Sequence, residues 1–260
     1  MRYALAGLLL LGTAQAQNLE KDPLPRATHF ALEIKMGAYS PDIDSSPGLG
    51  GKKPFSDLFG AGGERPGGAL ISSLEFDWQL LHGAFGSLGI GGGVGFSRRS
   101  AQAFEYDRST GQYVSCQLSS CTRSGDTTAL SVMPITLELV YRFDLIALRT
   151  YVPIVPYLKG GVGYYLWWIE NGSGSIATYN SNGMSDRGIG GTFGLVAHPG
   201  VALLLDRFDE ATARTVRSEI GIQHTYAFGE LHYAWVNGFN SSTKMVLSDL
   251  TWNAGLAFEF

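Results

Sequence analysis

From Phe30 onward, apolar side chains return at every second position in one segment after another. That period of two restricts the chain to strands with two unlike faces, because successive side chains of a strand point to opposite sides of its sheet. In the first segment Phe30, Leu32, Ile34, Met36 and Ala38 share a face, with Glu33 and Lys35 opposite. The second, 70–80, sets Leu70, Leu74, Phe76, Trp78 and Leu80 against Ser73, Glu75, Asp77 and Gln79. In 88–97, Leu88, Ile90, Val94 and Phe96 stand against Gly89, Gly91, Gly93 and Gly95. The face Ile135, Leu137, Leu139, Tyr141 and Phe143 opposes Thr136, Glu138 and Arg142, and Pro134 reads as a bulge or the outer end of that strand. In 157–169, Leu158, Val162, Tyr164, Leu166 and Trp168 oppose Lys159, Gly161 and Gly163. The pattern is rougher in 190–202, where Phe193, Leu195, Ala197 and Val201 oppose Thr192, Gly194 and His198. It returns in 216–228, with Ile220, Ile222, Tyr226 and Phe228 opposite Arg217, Glu219, Gln223 and Thr225. The final segment places Leu250, Trp252, Ala254, Leu256, Phe258 and Phe260 on one side.

Eight such segments suit a soluble sandwich or a membrane barrel, and the second face separates the two. A face turned to water carries Lys and Glu. Here it is rich in glycine and sparsely charged, as fits the narrow inside of a small barrel. Of 260 residues 35 are Gly, and only 16% are charged, against ~25% in an average globular chain. Tyr157, Trp167, Trp168 and Trp252 stand where interfacial aromatic girdles would be. Each segment approaches or exceeds the ~9–11 residues that a tilted strand needs to cross a bilayer. The expected fold is all-β: a membrane-spanning, antiparallel, up-and-down β-barrel of eight strands.

The connections alternate in length. Those at 40–69, 100–129, 171–188 and from beyond Phe228 to about Lys244 are long, and those at 82–87, 144–156 and 203–215 are shorter. Long loops belong outside and short turns in the periplasm. Residues 103–115 read as a small hairpin turning near Ser109, and pairing of that hairpin within the membrane would raise the count to ten. Residues 206–213 have the composition of one or two helical turns at the inner rim.

Residues 1–16, MRYALAGLLLLGTAQA, place Arg2 before an apolar stretch and end on Ala14-Gln15-Ala16, the pattern of a cleaved signal peptide. Residues 17–27 then form a short periplasmic segment and 28–260 the barrel domain. Export places Cys116 and Cys121, the only cysteines, in an oxidising compartment, so a local disulfide within one long loop is expected. Two thiols without further ligands nearby do not complete a zinc site, and neither metal nor cofactor is expected. A net charge of −4 with no basic block argues against nucleic acid as a partner.

At the C-terminus, Asn253, Gly255, Phe258 and Phe260 set a polar residue, a glycine and two alternate aromatics on one strand. This strand resembles the β-signal of bacterial outer-membrane proteins. Over about 28–260 the chain resembles the small outer-membrane barrels of the OmpA-type transmembrane domain and the OmpW-like class. The resemblance implies the outer membrane of a Gram-negative bacterium, a monomer surrounded by outer-membrane lipid, and barrel-assembly machinery with periplasmic chaperones as partners during biogenesis.

The interior faces collect Glu33, Lys35, Glu75, Asp77, Glu138, Arg142, Lys159, Arg217, Glu219 and Glu259. Buried charges must be paired, since desolvating a lone ion is costly. They therefore read as a salt-bridge plug in a structural or surface-interaction barrel that displays its external loops. The alternative is a narrow channel or transporter for small or hydrophobic solutes, as the OmpW-like resemblance would allow. Of the five histidines, His29, His82, His198, His224 and His232, the two of the seventh segment, His224 and His232, have no Ser or acid convincingly placed with them, so no enzyme is expected.

Overall fold

The computed structural model describes residues 28–60, 69–83, 85–104, 106–107, 112–113, 123–144, 147, 152–181 and 184–260. The proposed signal peptide with Ala14 and Ala16, the segment 17–27, and both Cys116 and Cys121 lie outside the described residues.

Eight strands close into one barrel: β1 (Phe30–Tyr39), β2 (Ala69–Gly83), β3 (Gly86–Phe104), β4 (Arg123–Arg142), β5 (Ile154–Glu170), β6 (Ile189–Leu204), β7 (His224–Trp235) and β8 (Asp249–Glu259). Each pairs antiparallel with its neighbours in sequence, as short connections favour. The ring is closed by β1 against β8, from Ala31 opposite Glu259 to Gly37 opposite Asn253. One face of the wall behaves as the alternation requires. Ile34, Met36, Leu74, Phe76, Leu137 and Leu139 all point outward and are exposed. A continuous apolar wall of this kind is a surface for hydrocarbon, and closure leaves it no unpaired edge.

The count is eight, and the hairpin near Ser109 does not raise it. Among the described residues, Tyr106–Asp107 and Gln112–Tyr113 pair with each other, as a small sheet apart from the barrel. A second such hairpin, Thr178–Ser181 with Met184–Arg187, stands in the connection between β5 and β6.

The seventh strand departs from the expectation. Residues 216–220 belong to helix α2 (Glu210–Ile220), not to a strand. Local signals override the period of two there: the Asp209 side chain caps the helix by accepting from the Thr212 N–H, and Gly221 ends it at φ 84°, a left-handed conformation open to glycine. Hydrogen bonds from Thr212 hold the Asp209 carboxyl below the usual carboxylate range. The helix is also longer than the one or two turns read from 206–213. Arg217 and Glu219 consequently leave the interior set. Arg217 donates to the Gln223 carbonyl at 3.3 Å, and Glu219 is exposed.

Beyond the helix, β7 also reverses the expected faces. Tyr226 and Phe228 point inward with His224, Glu230 and His232, while Leu231 and Tyr233 face out. The outward positions Ala227 and Gly229 are too small to declare themselves as a lipid face. Two expected girdle residues also turn inward: Tyr157 is buried and Trp167 packs against the interior apolar cluster. Pro134 is neither a bulge nor an end. It is buried mid-strand opposite Tyr165, and the β3–β4 ladder lapses beside it but resumes in the same register, Val94 opposite Ile135 and Ser97 opposite Val132.

Candidate functional site

The lumen is the first place to look for function, and its turn-side half is filled by charge. Lys159, fully buried, reaches Glu33 at 2.6 Å and Glu75 at 2.7 Å. Lys35 bonds Glu75 at 2.6 Å and Glu230 at 3.0 Å. Arg142 bonds Glu33 at 2.6 Å, Asp77 at 3.0 Å and Glu259 at 3.1 Å. The three cations thus join five carboxylates contributed by β1, β2, β7 and β8. Neutral donors satisfy more of the acceptors: Tyr226 and Gln79 bond Glu259, and Tyr157 and Asn253 bond Glu230.

Register explains how such long side chains fit. Glu75 stands opposite Gly93, Asp77 opposite Gly91, Glu138 opposite Gly91 and Gly161, and Lys35 opposite Gly255. The glycines that face inward are therefore covered by their neighbours' side chains. A Cβ at Gly91 would strike the Asp77 carboxylate, and one at Gly200 would strike the Tyr157 ring.

Glu138 does not join the cations. It bonds His198 Nδ1 at 2.8 Å, and His198 Nε2 meets His232 Nδ1 at 2.7 Å with the rings stacked. A cavity of about 30 Å³ lies between this chain and Lys35, Glu75 and Asn253, room for one or two waters. At the inner rim His224 Nδ1 meets Asp206 at 2.8 Å, and the other Asp206 oxygen accepts from the Thr225 N–H, so this pair fastens the turn to the strand.

The long-loop half is lined by different chemistry. Tyr39, Ile71, Leu130, Val132, Tyr165 and Val196 turn inward from the strands and form one apolar cluster with Ile43 and Phe55 from the first long connection and Leu247 from the last. That first connection carries a short helix, α1 (Pro54–Phe59), whose first turn is held by Asp44: the carboxylate accepts from the Phe55 and Ser56 N–H groups and from the Ser56 hydroxyl. From β3, Arg99 donates to the Phe59 carbonyl at 2.8 Å and lies over the rings of Phe55 and Phe59. Ser46 accepts from the Val246 N–H, tying the first long connection to the last. Under α1 lies a pocket of about 380 Å³, walled mainly by Phe55, Leu58, Phe59, Leu130, Trp167 and Met245.

Of the residues singled out from sequence, Glu33, Lys35, Glu75, Asp77, Arg142, Lys159 and Glu259 come together in one network, Glu138 sits beside it, and Arg217 and Glu219 lie elsewhere. The expectation of a strand over 216–228 starts β7 too early and so leaves out Glu230. The alternation His224, Tyr226, Phe228, Glu230, His232 was the signal that could have found it. Of the residues expected to form a β-signal, Asn253 is inside and bonded to Glu230, and Gly255 lies beside Lys35. Phe260 is exposed, and its backbone N–H bonds the Phe30 carbonyl at 2.8 Å. The aromatic apolar lining of the outer mouth carries no charge pattern and was not legible as a site.

No family model matches the chain, and no curated protein matches it. Among solved structures it is similar to the attachment invasion locus protein Ail of Yersinia pestis, at 11% identity and a TM-score of 0.39, over 90% of this chain and 97% of that one. It is similar to the outer membrane protein OprG of Pseudomonas aeruginosa at 15% identity and a TM-score of 0.44, over 90% and 96% of the two chains. It is also similar to the outer membrane protease OmpT of Escherichia coli, at 10% identity and a TM-score of 0.35, over 90% and 94%. The closed eight-stranded barrel is established by this chain's own strand register.

Proposed function

We propose that this chain is a monomeric outer-membrane barrel, closed to solutes, that works through the loops at its outer end. The observation that carries the reading is the ion-pair network: its members come from six of the eight strands and meet across the lumen, leaving beside them a cavity of only about 30 Å³. The apolar outer wall supports a site in lipid. Export through a cleaved signal ending at Ala16, a Cys116–Cys121 disulfide and delivery by periplasmic chaperones complete the proposal.

The glycines of β3 and β5 would favour a channel only if they left open space. Gly91 and Gly93 lie beside the Asp77 and Glu75 side chains, so the channel reading gains nothing from them. Nor do the acid–histidine contacts argue for catalysis: Asp206–His224 holds its own turn, and Glu138–His198–His232 is buried inside the wall.

Liposome swelling tests closure. Vesicles carrying the folded mature chain should swell in arabinose no faster than empty ones, and rapid swelling would contradict the reading. Assembly supplies a second test. Deleting Phe260 should sharply reduce insertion into the outer membrane, and normal insertion would count against both the β-signal and the barrel's delivery to that membrane.

A further inference from the structure

The pocket under α1 shares Leu130 with the inward apolar cluster, while Val132 and Tyr165 of that cluster fill the lumen without lining the pocket. Its volume of about 380 Å³ lies within the ~300–1,000 Å³ of small-molecule sites. At ~30 Å³ for each water-sized group, it holds a chain of about a dozen carbons. Aliphatic and aromatic side chains make its walls, and its polar lining is confined to Ser46, Thr128, Thr243 and Lys244. Lys244 and Thr243 are exposed and stand at the solvent edge. In a chain with more acidic than basic residues, this lining has one cation and no carboxylate among the described residues. The roof is built rather than draped: Asp44 fixes the first turn of α1, and Arg99 holds its last residue from below.

We propose that this pocket binds a medium-length acyl chain with an anionic head, the chain under α1 and the head at Lys244. It is a dead-end receptor site open to the outer face. That blind end rests on the closed lumen proposed above, whereas occupancy of the pocket does not, so swelling and binding can fail separately. The same chemistry has two sources, a free fatty acid and an acyl chain of a membrane lipid.

Trp167 lines the pocket and reports on it. The folded mature chain in nanodiscs is titrated with 11-bromoundecanoate, whose terminal bromine quenches tryptophan on contact, and with 11-bromoundecanol as the neutral counterpart. Partitioning into bilayer quenches the lipid-facing tryptophans without saturation, and the saturable part should vanish in Trp167→Phe. The acid should bind about threefold better than the alcohol, the advantage of one partly solvated charge pair. That preference should disappear in Lys244→Gln, a change at an exposed position, and at high salt. Ala129→Phe, which fills the pocket wall, should abolish saturable quenching while the variant still migrates as a folded barrel. Saturable quenching displaced by decanoate identifies the free acid. Quenching that emerges only after delipidation, with an acyl lipid retained in native mass spectra beforehand, identifies the membrane lipid. No Trp167-dependent component under either condition, or equal binding of acid and alcohol, overturns the proposal.

Discussion

In the turn-side half of the lumen, Lys35, Arg142 and Lys159 lie in a net of carboxylates drawn from facing strands, whereas in the long-loop half the same wall turns Tyr39, Ile71, Leu130, Val132 and Tyr165 inward. Each half is filled by side chains, but through forces of different reach. Ion pairs demand geometry: every buried charge needs its partner within hydrogen-bond distance, and loss of one partner strands the rest. Apolar contacts are non-directional, so an apolar layer tolerates irregular cover by loops and leaves a pocket where the cover is imperfect. That difference accounts for a cavity of about 30 Å³ among the charges and one of about 380 Å³ under the loops.

The sharpest way to break the contrast is to remove a cation from the lower half. Arg142→Ala leaves Glu33, Asp77 and Glu259 without their shared guanidinium, and should cost roughly 3–5 kcal/mol of stability. Its heat-modifiable gel shift should move to clearly lower temperature, yet no large pore should open, because the apolar layer remains. An unchanged transition would refute the ionic plug.

A change on the outer wall is next in size. Leu137→Arg, at mid-strand on the exposed face, should cost about 2–4 kcal/mol in urea unfolding from lipid vesicles. In the upper half Val132→Ala, which empties part of a fully packed position, should cost only about 1.5 kcal/mol. If the two layers are independent, the Arg142→Ala and Val132→Ala losses should add. A marked departure from additivity would show that they form one plug.

The smallest effect is expected outside the barrel. Asp209→Ala removes the cap of α2 and should speed amide exchange over 210–220 without moving the barrel's melting. The Asp209 carboxyl is held below its ordinary range by Thr212. Its contribution is therefore complete above the ordinary carboxylate range and is lost as pH falls through the depressed value. Exchange that is insensitive to pH in that acid window would contradict the cap.

The same contrast sets what could be read from sequence. Where one face is charged or glycine and the other apolar, as in β1, β2 and the middle of β3 and β4, alternation gives strand, facing and partners together. In the upper half the inner face is apolar too: Leu130, Val132 and Tyr165 point in while Ile135 and Leu137 point out, so the period of two fades and strand ends disappear from view. That is why β4 begins at Arg123, well before 135, and why the pocket carried no signal. Around α2, residues 216–222 mimic a strand because Ile220 and Ile222 alternate with charges, but the Asp209 cap and Gly221 decide the local structure. That displaced start also hid Glu230 and reversed Tyr226 and Phe228.

Single-channel recording of the refolded mature chain in a planar bilayer tests closure of the lumen most directly, with heat-modifiable migration as the check that it has folded. A lumen sealed by both layers requires silence from the folded protein. Steady, reproducible openings from that protein would contradict a sealed lumen.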